Sequence, residues 1–244
     1  MLHADSICLA QRLREISLTL AGGRCVHLIG PNGAGKSSLL SVLAGVLTPD
    51  SGQVSYNQIP LDSLSPADLT AIRGYQAQGL HTAFSLTVAD VMAFFASQQR
   101  CPDVLNQALE IDLFWSRPFN QLSGGEQRRV HLAMTLAPLL TQLNAGNGLL
   151  LLDEPMQGLD IRHQHSLLAL LQYFAKRGNL IVMSCHDLAL SARFADEVLL
   201  LDQGQLVKQG KPADTLNASL LSEVFACPLD VFQPVVRQID QSRP

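Results

Sequence analysis

The sequence predicts an α/β fold: a mostly parallel sheet covered by helices on both faces, with an all-helical segment inserted part-way along the chain. Three observations predict it. Residues 24–30, RCVHLIG, form a short apolar run that ends in glycine, and the helix-period segment SSLLSVLAGVL follows closely. The runs GLLLLDEP (148–155) and GNLIVMSC (178–185) lack polar alternation, which is the pattern of strands buried on both faces of a parallel sheet. Between residues 80 and 136 the pattern turns helical, as in VADVMAFFASQQR and DVLNQALEIDLF, and no strand is expected there.

At the first run the order is strand, glycine loop, helix. Residues 30–38, GPNGAGKSS, fit G-x-x-x-x-G-K-[ST] with Gly30, Gly35, Lys36 and Ser37 in the required places. Pro31, Asn32, Gly33 and Ala34 fill the interval and Ser38 follows it. Such a loop turns successive backbone N–H groups toward phosphate oxygens, and the helix N-terminus adds partial positive charge. Lys36 is expected to reach the β- and γ-phosphates, and the Ser37 hydroxyl to bind Mg²⁺. Each charge-assisted hydrogen bond of this kind contributes about 1.5 to 3 kcal/mol, so several together hold a nucleotide firmly.

In LSGGEQRRV (122–130), Ser123, Gly124 and Gly125 stand just before a charged, then apolar, helix, an arrangement that suits a second anion. Farther on, LLLLDEP delivers Asp153 and Glu154 at the C-terminal end of a strand, the edge where open α/β sheets bind ligands. Asp153 is expected to hold Mg²⁺, directly or through water, and Glu154 to orient or deprotonate a water aimed at the γ-phosphate. Asp160, before IRHQHSLLALL, reads as a helix N-cap. His186, after the third run in VMSCHDL, comes to the same edge as Glu154, where its ring can donate to a γ-phosphate. By contrast His3, His27, His81, His131, His163 and His165 read as surface or packing residues. The stretch DEVLLLDQGQLVKQGKP reads as a hairpin with Gly204 near its turn, and the polar tail from Pro228 has no predicted structure.

Composition narrows the function. At 244 residues there is room for one large domain, with or without a small inserted lobe. The hydrophobic fraction is 47%, and charged residues, at 16%, fall below the roughly 25% of ordinary globular chains, which suggests that part of the surface is hidden against a partner. A net charge of −4 without a Lys/Arg block argues against nucleic acid as that partner. No stretch reaches the roughly 18 apolar residues of a membrane span. The start, MLHADSICLAQRLRE, lacks a basic segment followed by an apolar one, so no secretory signal and a cytosolic location are expected. Five cysteines, an odd number without CxxC spacing, read as reduced core thiols.

Together these residues resemble the ATP-binding cassette (ABC) ATPases over about residues 12 to 225. GPNGAGKSS is similar to their Walker A loop, LSGGE to the signature, LLLLDEP to Walker B, GLD to the D-loop and SCHD to the switch histidine. The resemblance implies a P-loop NTPase core with a mostly parallel sheet, an antiparallel N-terminal β region and a small helical subdomain. Its implied bounds are a RecA-like core over 1–78 and 137–225, a helical subdomain over 79–136 and a tail over 226–244, all in one domain. It also implies ATP and Mg²⁺ as ligands, and Gln78, with Gln76 as the alternative, as a glutamine that senses the γ-phosphate and Mg²⁺ between core and lobe. Two copies would pair head to tail, so that Ser123, Gly124 and Gly125 of one bind the γ-phosphate held by Lys36 of the other, with Asp160 near the seam. Members of the family carry an aromatic residue that stacks on adenine, yet no Phe, Tyr or Trp precedes Tyr56, and Arg12 is expected to serve instead.

A finer resemblance, in the long connection MTLAPLLTQLNAGNGLL and in DEPMQGLD, is to the ATPase of the bacterial vitamin B12 importer. It implies a peripheral protein on the cytoplasmic face of the inner membrane, partnered by two permease subunits and, indirectly, by a periplasmic binding protein. ATPases of haem and ferric-siderophore importers are closely similar, and a soluble non-transport cassette is the remaining alternative.

Overall fold

The structure, a computed structural model, describes residues 1–77, 85–96 and 100–228. In chain order its elements are β1 (Leu2–Leu9), β2 (Leu13–Leu20), β3 (Arg24–Ile29), α1 (Lys36–Leu43), β4 (Ser51–Tyr56), β5 (Ile59–Pro60), α2 (Pro66–Ile72) and β6 (Arg73–Gln76). There follow α3 (Val88–Ala96), α4 (Asp103–Leu109), α5 (Gly124–Leu136) and α6 (Leu140–Ala145), with no named strand among them. The chain then alternates through β7 (Leu149–Leu152), α7 (Ile161–Lys176), β8 (Leu180–Ser184), α8 (Leu188–Phe194), β9 (Glu197–Asp202) and β10 (Gln205–Gly210), and closes with α9 (Pro212–Thr215) and α10 (Ala218–Val224).

Two sheets result. The larger has the order β10-β9-β3-β8-β7-β6, parallel from β9 to β6, with β10 antiparallel at the edge. The smaller, β2-β1-β4-β5, is antiparallel throughout. Both agree with the fold class implied by the sequence.

The apolar runs have a direct physical cause. Successive strand residues point to opposite faces, so a strand covered on both faces needs apolar residues at every position. In β7, Leu149 and Leu151 pack in one core with α1 and the antiparallel sheet, while Leu150 and Leu152 pack in another with α5 and α7. Strand β8 divides likewise, Leu180 and Val182 from Ile181 and Met183.

His27 is a packing residue, as expected, but a consequential one. It is fully buried on β3, with Nδ1 2.9 Å from Ser191 Oγ of α8. Burial lowers its pKa from 6.5 to about 4. Between those values the unfolded chain binds more protons than the folded one, so stability is present above pH 6.5 and is lost as pH falls. Urea unfolding should show a loss of about 2 kcal/mol between pH 7 and pH 5 from this group, and His27→Leu should remove that part of the pH dependence. Equal pH slopes for the two proteins would rule the account out.

The cysteines divide. Cys25, Cys101 and Cys185 are buried thiols, and burial pushes Cys25 far above the usual thiol range, whereas Cys8 is half-buried and Cys227 exposed, which corrects the reading of all five as core residues.

Candidate nucleotide site

A cavity of about 670 Å³ opens at the C-terminal edge of the larger sheet, lined by the loop after β3, by Arg12, and by Glu154, Gln157 and His186. From the loop come Asn32, Gly33, Gly35, Lys36, Ser37 and Ser38. Gly35 has φ +99, and a Cβ there would lie 2.7 Å from the Arg12 carbonyl oxygen, so only glycine lets the β1–β2 turn rest on the loop. Helix α1 begins at Gly35 without a side-chain cap, which leaves its first N–H groups for an anion. Lys36 is buried, and its Nζ donates to the carbonyls of Gly30 and Pro31 at 2.8 and 2.9 Å. Burial lowers the Lys36 pKa, while the nearby Glu154 and Asp153 carboxylates oppose that shift. Ala34 is buried, and its carbonyl accepts from Gly204 N at 3.1 Å, pinning the loop to the β9–β10 turn. An uncapped helix start and a clasped ammonium fit a polyphosphate.

The two carboxylates are fixed by neighbouring strands. Ser184, the last residue of β8, donates through Oγ to Asp153 Oδ1 at 2.7 Å and accepts from Glu154 N at 2.7 Å. Asp153 is buried, and its N–H donates to the Gln76 carbonyl at 2.9 Å. Glu154 has φ +47, a left-handed conformation that a non-glycine residue holds only when its surroundings impose it. Arg128 of α5 supplies that constraint, donating to the carbonyls of Asp153 (2.8 Å), Glu154 and Pro155 (3.3 Å). Across the cavity mouth His186 Nε2 lies 2.6 Å from Glu154 Oε1, and since a carboxylate only accepts, the ring N–H donates.

Ser123, Gly124 and Gly125 do not line this cavity. Ser123 caps α5 in a capping box: its Oγ accepts from Glu126 N at 3.3 Å and its N–H donates to Glu126 Oε2 at 2.7 Å. That N–H holds the Glu126 carboxyl below its usual range. Ser123 and Gly124 are exposed, while a Cβ on Gly125 would lie 2.9 Å from the Gly158 carbonyl oxygen. Asp160 caps α7, its carboxylate accepting from His163 N at 2.9 Å, and it too is exposed away from the cavity. Gln78 lies outside the described residues. Gln76 is fully buried, and neither atom of its side-chain amide has a hydrogen-bond partner among them.

Sequence reading missed Arg128, Ser184 and Gln157. The serine ends an apolar strand beside the one carrying the acids, which was the available signal. The arginines of GGEQRR belong to the charged start of a helix and gave no signal of burial, yet Arg128 and Arg129 are each 8% exposed.

The ABC transporter family model matches residues 13–157. The hemin import ATP-binding protein HmuV of Rhodopseudomonas palustris (strain ATCC BAA-98 / CGA009) is 40% identical over 92% of this chain and 86% of its own. The protein of the same name from Thermobifida fusca (strain YX) is 39% identical over 90% and 78%. Among solved structures, a dimeric ATP-binding cassette bound to ADP and phosphate superposes with a TM-score of 0.71 at 22% identity, over 87% of this chain and 99% of that one, a likeness of fold. With a family model matching over half of its residues, and with relatives of this identity along nine-tenths of its length, the chain belongs to the ABC transporter family.

Proposed function

We propose that this chain is the ATP-hydrolysing subunit of a bacterial importer and that it works as a pair of copies sharing two nucleotide sites. One observation carries the reading: the cavity holds the phosphate loop, Glu154 and His186, while the start of α5, with Ser123 and Gly124 exposed, stands outside it. One copy therefore has half of a closed site, and the second copy's Ser123, Gly124 and Gly125 complete it. In this reading Lys36 and the loop amides hold the β- and γ-phosphates. Mg²⁺ would be held by Ser37 and Asp153, with Gln78 of the segment after β6, and would supply positive charge beside the phosphates. Glu154 takes the proton of the attacking water, and the His186 ring N–H serves one acceptor or the other, the Glu154 carboxylate or the γ-phosphate. Asp160 sits at the seam. ATP closes the pair because it touches both copies only when closed, and hydrolysis releases it.

Arg12 takes the place beside adenine. It lines the cavity on the turn that leans on Gly35, and a guanidinium stacked on a flat ring contributes about 0.5 to 2 kcal/mol. Arg12→Ala should therefore weaken ATP binding by about threefold to thirtyfold in a fluorescent-nucleotide titration. Unchanged affinity would place adenine elsewhere.

Phe94 and Phe95 of α3, their rings 5.1 Å apart, are 81% and 51% exposed, an apolar pair that suits a permease subunit at the cytoplasmic surface of the membrane. No helix among the described residues is long and apolar enough to cross a membrane, so the permeases supply the channel. For the cargo, the relatives favour hemin. Vitamin B12, the first reading of the sequence, becomes the second, on the long connection that here forms α6 and on Met156 after the carboxylates. Reconstitution with each permease pair decides between them: ATP turnover should rise when a haem-loaded binding protein is added, and a rise with the cobalamin-loaded one alone would reverse the order.

A further inference from the structure

His163 lies outside the cavity and makes more contacts than a helix cap requires. Capping α7 needs only the bond from His163 N to Asp160 at 2.9 Å. The ring adds a second one: Nδ1 is 2.9 Å from both Asp160 carboxylate oxygens, so Nδ1 carries the proton. On its other side Nε2 is 3.0 Å from Arg129 Nη1 and 3.1 Å from Glu110 Oε2. Arg129 belongs to α5, six residues after Ser123, and its Nη1 also donates to the Leu109 carbonyl at 2.8 Å at the end of α4. Its guanidinium lies over the Phe114 ring at 4.9 Å. Glu110 caps α4 in a left-handed conformation, φ +52, and also meets the exposed Arg162. Nε2 thus faces a donor, the Arg129 guanidinium, and an acceptor, the Glu110 carboxylate.

The middle of the arrangement is enclosed, while Asp160 at its end is exposed. The His163 side chain is 12% exposed and that of Arg129 10%, so these contacts are less screened than surface pairs. Bonds from the His163 backbone and ring hold the Asp160 carboxyl below its usual range. A second contact joins the same two segments, since Gly125 packs against the Gly158 carbonyl with no room for a Cβ. An imidazole is suited to this position because it presents two nitrogens on opposite sides of one rigid ring.

We propose that His163 is a positioning residue: its ring ties Asp160 to Arg129 of the signature helix and to Glu110 of the helical segment, so that the two seam-facing parts of one copy move together. The inference rests on the shared-site reading above. It concerns how the seam is held, not how ATP is bound.

The test compares kcat and KM for ATP in variants of the full chain. His163→Ala should lower kcat by about tenfold with KM within about twofold. His163→Asn, whose amide can still donate to Asp160 but is too short to reach Arg129, should stay low, whereas a capping role alone predicts full recovery. Asp160→Ala combined with His163→Ala should be no slower than the slower single variant. Full kcat in His163→Ala, recovery in His163→Asn, or multiplying losses in the double variant would each overturn the proposal. Should His163→Ala fail to fold, His163→Asn, which keeps the bond to Asp160, carries the test alone: full kcat in it overturns the proposal. Ser123→Arg separates the two readings. If it abolishes turnover while His163→Ala is unaffected, the tie alone is wrong; if it leaves turnover intact, the shared site fails and the tie with it.

Discussion

Glu154→Gln should lower ATP turnover by at least about 10² while leaving ATP affinity within about twofold. The substitution keeps the shape of the side chain and removes its basicity. Because the amide carbonyl can still accept from His186 Nε2, the 2.6 Å contact and the left-handed turn at residue 154 need not change. Serine 184 and Arg128 hold the backbone of that turn, not its side chain, so they are indifferent to the exchange. Without hydrolysis to reopen it, the closed pair should accumulate, and light scattering after gel filtration in ATP should show twice the monomer mass. Retained turnover would remove Glu154 from the role of base. A loss of ATP binding would mean that the carboxylate serves the nucleotide's ground state instead.

The second large effect is on stability. Arg128→Ala should cost about 3 kcal/mol, a drop of roughly 6 to 12 °C in melting temperature for a chain of this size, and should slow turnover as well. Its guanidinium donates to three successive carbonyls, of Asp153, Glu154 and Pro155, and burial has already lowered its pKa. Truncation leaves those acceptors without donors beneath α5 and releases the strained turn that aims Glu154. Arg128→Lys should recover little, because one ammonium cannot span three acceptors as a planar fork does. A melting temperature within 2 °C of the original would show that water replaces the guanidinium at no cost.

The parts of the fold legible in the sequence are those where one physical rule acts alone. Strands β3, β7 and β8 announce themselves because a strand covered on both faces is apolar at most positions, His27 and Ser184 being the hydrogen-bonded exceptions. The same runs overshoot at their ends: 148–155 reads as one apolar unit, but the strand is Leu149–Leu152 and the turn begins at Asp153. Strand β6 was invisible, being four residues, RGYQ, with no apolar signature. The small sheet came from family resemblance rather than periodicity, since β1 bulges twice against β2 and loses strict alternation. In the site, residues that act through backbone geometry or terminal position could be read, and Asn32, Gly33, Gly35 through Ser38, Glu154 and His186 border one cavity with Arg12. Unreadable were the long side chains that cross between elements, because a reach from α5 to the turn after β7, or from His163 to Glu110, depends on packing that no spacing encodes.

The clasp of Lys36 by the Gly30 and Pro31 carbonyls bears on how the protein behaves between turnovers. The fold itself holds this ammonium inward, so on the function proposed above a polyphosphate bound there would trade places with two internal acceptors rather than with bulk water. Much of the ordering is therefore complete at folding. Emptying and refilling should leave this corner of the molecule nearly still, so that the mechanical stroke arises where the copies meet and not where the phosphates land.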